Sequence, residues 1–313
     1  MIHIYPTYYK KFKCIANRCT DSCCKGWDVV VDDETDAYYG TVQGEFGDKI
    51  RKLTTTDSDG DRIFISQNGR CPFWNKDMLC DIFINLGEEH LCRTCRNFPR
   101  ITQDYTVFSE HLLSFACPEA ARLILEEDDA YKDFVVPESD FSDCGYDANL
   151  MKLLLEARKT SAEIFADESY SFAENLSECL EYNQRIQNVF DGENAETFSV
   201  EHKDDVQAVF DMHKKLDIMT DEWRNLLDKT DVSKGISPDY DAEFKRLALY
   251  YIYRYYLTAI DTMNVASTIK RVAYAYAVIG NLLQVTDYSA ERLFTLYSKE
   301  VEHSPSNLLT LGR

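Results

Sequence analysis

Cys14, Cys19, Cys23 and Cys24 crowd four thiols into the stretch CIANRCTDSCC, and Cys71, Cys80, Cys92, Cys95 and Cys117 follow. Only Cys144 and Cys179 come later. Thiolates are soft donors suited to zinc and to iron–sulfur clusters, and either centre takes about four of them. Nine thiols exceed one such site. They make two sites with one left over, or one site with buried structural thiols beside it. Cys23 and Cys24 are adjacent, and neighbouring side chains diverge, so the two do not serve one small ion easily. Cys144 and Cys179 stand alone and read as small core residues.

The spacings match no standard pattern. Cys92 and Cys95 form one C-x-x-C in CRTC, but no second pair follows at zinc-ribbon distance. The ferredoxin run is absent. After Cys19-x-x-x-Cys23, Gly26 stands where a radical S-adenosylmethionine motif needs its third cysteine. Other groups that could do chemistry lie close by. Glu88, Glu89 and His90 form LGEEH, Asp77 and Asp81 bracket Cys80, and Trp27 and Asp28 follow the adjacent thiols. An aromatic face beside a carboxylate can receive an ammonium group, although Trp27 serves equally as core.

The elements that must position these residues divide the chain of 313 residues unevenly. Residues 1–130 read as a cysteine-rich metal-binding region of short, mixed elements. A helix starts near Asp33, DRIFIS alternates like a strand, LCDIFINLG is a helix closed by Gly87, and DYTVFSEHLLSFAC holds two strands. Pro118 opens a helix at its first turn. Residues 131–148 read as an acidic surface linker. Residues 149–313 read as helical, over 149–167, 172–190, 201–228, 239–262, 266–284 and 287–302. FKRLALYYIYRYYLTAI is apolar and aromatic nearly all round, as a central buried helix should be. The expected class is mainly α with a small, irregular cysteine-rich α+β N-terminal part and no Rossmann domain. None of the 12 glycines is one residue from another, so there is no G-x-G loop for a nucleotide.

The net charge of −20 disfavours nucleic acid and anionic membrane as partners. MIHIYPTYYKKFKC has no apolar run of the signal-peptide kind, and no stretch approaches about 18 apolar residues. A cytoplasmic, reducing compartment is expected, where clustered cysteines bind metal or react and seldom pair.

Three blocks, FKCIANRCTDSCCKGWDVVVDDET, CPFWNKDMLCDIFINLGEEHLCRTCRNFPR and LLSFACPEAARLIL, resemble the flagellin lysine-N-methylase family. They are also similar to a broader group of cysteine-cluster proteins that chelate zinc or iron. The resemblance implies methyl transfer from S-adenosylmethionine to a protein lysine, flagellin being the family's associated substrate, with an iron–sulfur cluster of the 4Fe-4S kind. On that reading Cys14, Cys19, Cys23, Cys24, Cys71, Cys80, Cys92, Cys95 and Cys117 are metal ligands. Arg93, Arg96 and Arg100 then become candidates for holding the cofactor's carboxylate, since guanidinium groups bind carboxylates bidentately. They serve equally as charge balance around thiolates. Two other functions fit the same thiols: a structural zinc scaffold that binds a partner protein, and an iron–sulfur oxidoreductase. No residue stands out as the catalytic base.

Overall fold

The structure, a computed structural model, describes residues 1–137, 141, 144–192, 206–230 and 236–312. The fold is mainly helical, with a small mixed sheet near the N-terminus and a cysteine-rich N-terminal lobe. β1 (Ile2–Ile4), β4 (Arg100–Asp104) and β5 (Phe108–Leu113) form one sheet in the order β1-β5-β4, with β1 parallel and β4 antiparallel to β5. β2 (Thr54–Thr56) and β3 (Arg62–Phe64) form a separate antiparallel pair. Neither is a doubly wound parallel sheet.

Local signals set the small elements. Asp32 caps α1 (Asp33–Thr41) by accepting from the Thr35 N–H, and acids fill the first turn, where the helix dipole favours them. The single expected helix breaks into α1 and α2 (Gly44–Lys52), because Gly44 takes a left-handed φ of +81° between them. α3 (Asp81–Leu86) ends at Gly87 and α5 (Pro118–Glu126) starts at Pro118, both as expected. α4 is the short turn Arg93–Asn97. The first strand of the β4–β5 hairpin lies earlier than expected, because Thr106 at φ +65° places the turn at 105–107.

The helices after residue 147 follow the sequence closely at first. α6 is Ala148–Ala166, and α7 is Phe172–Phe190 with a Ser171–Glu174 capping box. The expected helix 201–228 is interrupted. Its residues 201–205 lie outside the described residues, and the remainder forms α8 (Val206–His213) and α9 (Asp221–Lys229). Between them the Asp217 N–H donates to Asn307 and the Met219 N–H to Glu300, so these amides leave the helical ladder for the C-terminus. α10 (Asp241–Tyr255) is buried along most of its length and continues through one 3-10 turn into α11 (Ala259–Thr262). α12 (Ala266–Leu283) and α13 (Ala290–Tyr297) follow. α13 then widens into a π-helical turn, Ser298–Glu302, before α14 (Pro305–Leu311), which the sequence reading missed despite its Ser-Pro start.

Two cores divide the chain differently from the sequence. The larger joins Ile4, Tyr8, Phe108, Leu112, Phe115 and α5 to the later helices. Among the described residues of 131–148, Tyr131, Phe134, Phe141 and Cys144 are buried in that same core, where a linker across the surface would leave them exposed. A boundary at 130 therefore cuts through packed apolar surface that the first strand and the hairpin share with α10. The smaller core holds Val29, Val31, Tyr39, Ile50, Phe64, Phe73, Ile82 and Cys92. Among the described residues no helix is long and apolar enough to cross a membrane.

The π turn is buried throughout. Glu302 accepts from Tyr250 at 3.0 Å, Tyr255 at 2.8 Å and Tyr251 at 3.4 Å, and pairs with Arg254 at 2.7 Å. This explains the tyrosine-rich segment: its hydroxyls satisfy one buried carboxylate. Glu302→Ala leaves Arg254 without its carboxylate, the Tyr250 hydroxyl remaining, and breaking a buried ion pair costs about 3–5 kcal/mol. Urea unfolding is expected to show that loss, with Glu302→Gln, which keeps most hydrogen bonds, costing less. A loss near zero for Glu302→Ala would contradict this role.

Candidate metal centre

The two cysteine blocks meet in the N-terminal lobe. The Cys71 N–H donates to the Cys24 carbonyl at 2.7 Å, and the Gly26 N–H to the Gly69 carbonyl at 3.0 Å. Gly26 sits at φ +94°, a turn open to glycine, which swings the chain from the adjacent thiols into Trp27. Further on, Val30 bridges to Ile63, Thr94 Oγ1 donates to the Val30 carbonyl, and Trp74 bridges to Cys80. The loop after Cys24 is thus stitched to the loop before Cys71, and α3 and α4 bring up Cys80, Cys92 and Cys95.

The thiols perturb one another accordingly. The hydrogen bond with Cys24, then loss of solvent, pushes the Cys23 thiol far up. Cys92 and Cys95 hydrogen-bond as a pair, which holds Cys92 below and Cys95 well above the ordinary thiol range. Burial pushes Cys71 up to about 12, with Cys80, Cys92 and Cys23 adding repulsion. Burial likewise raises Cys80, with Cys23 opposing its charge. It raises Cys117 to about 12, with Cys19 and Cys23 opposing. Cys19 is raised by burial and feels Cys23 and Cys14. Cys23 acts on Cys19, Cys71, Cys80, Cys95 and Cys117, so thiols of both sequence blocks lie within its electrostatic reach. Cys144 and Cys179 are buried in the larger core, and so is Cys117, although Cys19 and Cys23 act on it.

The donor chemistry fits a soft metal: converging thiols whose ionisation is suppressed by desolvation and by each other, a penalty that a bound cation reverses. Among the described residues no three Cys, His, Asp or Glu side chains are already set to hold an ion, so the thiols are gathered without a closed coordination shell.

The three arginines do not form a pocket. Arg93 and Arg96 lie on α4, and Arg100 opens β4; all are exposed. Arg96 reaches the Glu89 carbonyl at 3.5 Å, Arg100 lies over the Phe12 ring at 5.3 Å, and the three share no partner among the described residues. Asp81 is tied to Lys49 at 2.8 Å and to Asn75. His90 stacks on Tyr38. Trp27 is half-buried, stacked on His303 at 4.8 Å and near Phe98, with the Lys299 ammonium 5.3 Å from its ring centre. The cation beside Trp27 is therefore the chain's own.

The sequence reading missed what docks the cysteine loop. Asp21, inside the first block, has a side chain only 2% exposed. It pairs with Lys299 at 2.5 Å, Lys25 at 2.9 Å and Arg292 at 3.2 Å. Burial pushes its carboxyl up, but Lys299, then Lys25 and the Ser22 N–H, outweigh that and hold it at about 2. Lys299 comes from the π turn and also donates to the Ser22 carbonyl at 3.1 Å. Burial, with Arg254 and Lys299 nearby, lowers His303 to about 4, so its ring is neutral beside Trp27 at pH 7. An acid between two cysteines was the available signal for Asp21; Lys299 had none.

Comparison with known proteins finds relatives over part of the chain. The chain is 34% identical over 131 residues to the flagellar biosynthetic protein FliU of Salmonella muenchen, covering 40% of this chain and 78% of that one. It belongs to the family of FliU and the lysine-N-methylases. The lysine-N-methylases of Salmonella typhimurium and Salmonella choleraesuis are also 34% identical over 131 residues, but that stretch spans only 33% of their length. No family model matches, and no solved structure matches.

Exposure orders the thiols. Cys14 and Cys23 are exposed, whereas Cys92, Cys117, Cys144 and Cys179 are buried. Brief iodoacetamide treatment of the folded, metal-free protein is expected to label Cys14 first and to leave the four buried thiols for the unfolded chain. Mass spectrometry of the peptides checks this; labelling of Cys92 as fast as Cys14 would contradict its placement.

Proposed function

We propose that this chain is a protein lysine N-methyltransferase that uses S-adenosylmethionine and depends on an iron–sulfur cluster held by the N-terminal thiols. The observation that carries the reading is the gathering of thiols from both cysteine blocks near Cys23 in a chain that is related over 40% of its length to lysine-N-methylases. When bound, S-adenosylmethionine supplies an electrophilic methyl group and the cluster a cationic, redox-active iron centre.

The chain's own residues must gather ligands, exclude water and manage a proton. Nine thiols in one lobe offer more donors than a closed four-sulfur shell uses. Free lysine, with a pKa of about 10.4, must lose a proton before its amine attacks a methyl group. His303, neutral beside Trp27 and 3.5 Å from Ser114 Oγ, offers an imidazole nitrogen that can accept a hydrogen bond from that amine. Arg93, Arg96 and Arg100 are exposed and can meet a carboxylate singly, without acting as one fork. A protein with exposed lysines is the substrate class, flagellin among them.

One observation favours a second reading. Cys71, Cys80, Cys92 and Cys95 pack within or against the smaller core, where a closed zinc site would brace short elements. Spectroscopy separates the two. Protein purified without oxygen is expected to carry iron and sulfide, to absorb in the visible, and to move a labelled methyl group from S-adenosylmethionine to lysines of a lysine-rich protein. Cys19→Ser with Cys23→Ser should remove the cluster, the transfer and part of the protease resistance together. Zinc alone, with four sulfurs at about 2.3 Å and no transfer, would establish the scaffold instead.

A further inference from the structure

We propose that Lys299 is a positioning residue for the thiol centre: its buried ammonium, carried in from the π turn, fixes the Cys19–Cys24 loop and sets a surplus positive charge beside it. The inference rests on the reading that these thiols hold a metal.

The geometry is specific. The Lys299 side chain is only 8% exposed. Its ammonium donates to Asp21 Oδ2 at 2.5 Å and to the Ser22 carbonyl at 3.1 Å, and it lies near the Trp27 face. One side chain thus grips two points of a loop that has no helix or strand of its own from Thr20 to Cys24, and meets Trp27 just beyond it. A buried ammonium persists only where its protons find acceptors and its charge finds a counterpart.

The surrounding charges do not cancel. Arg292 is shared between Asp21 and Glu222, at 3.2 Å and 2.9 Å. Two carboxylates, Asp21 and Glu222, therefore face three cations: Lys25, Arg292 and Lys299. One positive charge is left over within this ion-paired network beside the loop. The sequence offered Arg93, Arg96 and Arg100 for the cofactor's carboxylate or, equally, for charge balance around the thiolates, yet these lie exposed on α4 and β4. The cation that reaches the loop comes from the far end of the chain.

The test uses the full-length protein and cobalt(II) as probe, read by its thiolate charge-transfer absorption against a competing chelator. Lys299→Met is expected to weaken cobalt binding about tenfold or more, as loss of an outer-shell partner does. Lys299→Arg, which keeps the charge, should recover most of it. Lys25→Met, which removes a cation 41% exposed to solvent, should change little. If Lys299→Met does not fold, Asp21→Asn with Lys299→Met removes both charges and is expected to fold and still bind weakly. Thermal melting of the metal-free proteins separates affinity from stability. A folded Lys299 variant that binds cobalt as tightly as the unaltered protein would overturn the inference and leave the metal reading standing. Failure of the unaltered protein to bind cobalt would overturn the metal reading, and this inference with it.

Discussion

The π turn at Ser298–Glu302 carries charges that must be buried and must each find a partner, and most of the architecture follows from how they do. Lys299 faces the cysteine loop, Glu300 the start of α9, and Glu302 the tyrosines of α10. A π turn holds one more residue per hydrogen-bonded ring than an α turn, so it spreads successive side chains over a wider arc. Here that arc lets three residues within four positions reach three separate elements. Buried ion pairs rarely add net stability over well-packed apolar residues, but removing one partner is costly. Such a network specifies an arrangement more than it stabilises one: the N-terminal lobe can dock only where Asp21 meets Lys299.

This docking reconciles the two cores. The larger core needs β1, the β4–β5 hairpin and α5, all from the cysteine-rich third of the chain, to cover α10. The smaller core closes the lobe around the thiols with only short elements. Between them runs the Cys19–Cys24 loop, with neither helix nor strand. Its amides and side chains are satisfied from both sides, by Asp21 and Ser22 within the loop and by Lys299 and Arg292 from outside. A thiol-rich loop attached in this way is ordered by the whole protein and not by its own sequence.

That distinction governs what could be read in advance. Capping residues, Pro118, Gly87 and the long apolar periodicities act within a few residues, so α1, α3, α5, α6 and α7 were legible from local chemistry. The thiols were legible by type and density, and the meeting of their two blocks was a fair inference from spacing. The break between α8 and α9 was not legible, because the amides of Asp217 and Met219 are drawn away by Asn307 and Glu300, more than eighty positions along. The surface linker failed for a related reason. Acids in 131–148 read as solvent-facing, yet the interspersed Tyr131, Phe134 and Phe141 turn into the core.

Lys299 is the extreme of the same principle. In sequence it is an ordinary lysine in SKEVEHS, flanked by acids, and such a residue reads as a solvated helix face. Its partner Asp21 lies 278 positions away. Nothing within reach of local propensity marks either as buried. The chain nevertheless carries a net charge of −20, and ionised thiols would add to it. A strongly acidic protein that gathers thiols must import cations to that lobe or keep the thiols protonated. The structure does both: most of the gathered thiols are pushed up in pKa by burial and by one another, while Lys25, Arg292 and Lys299 converge on the loop that carries Cys23. The loop that carries Cys23 is therefore docked by cations brought in from outside it, while burial and mutual repulsion disfavour charge on the thiols packed around it.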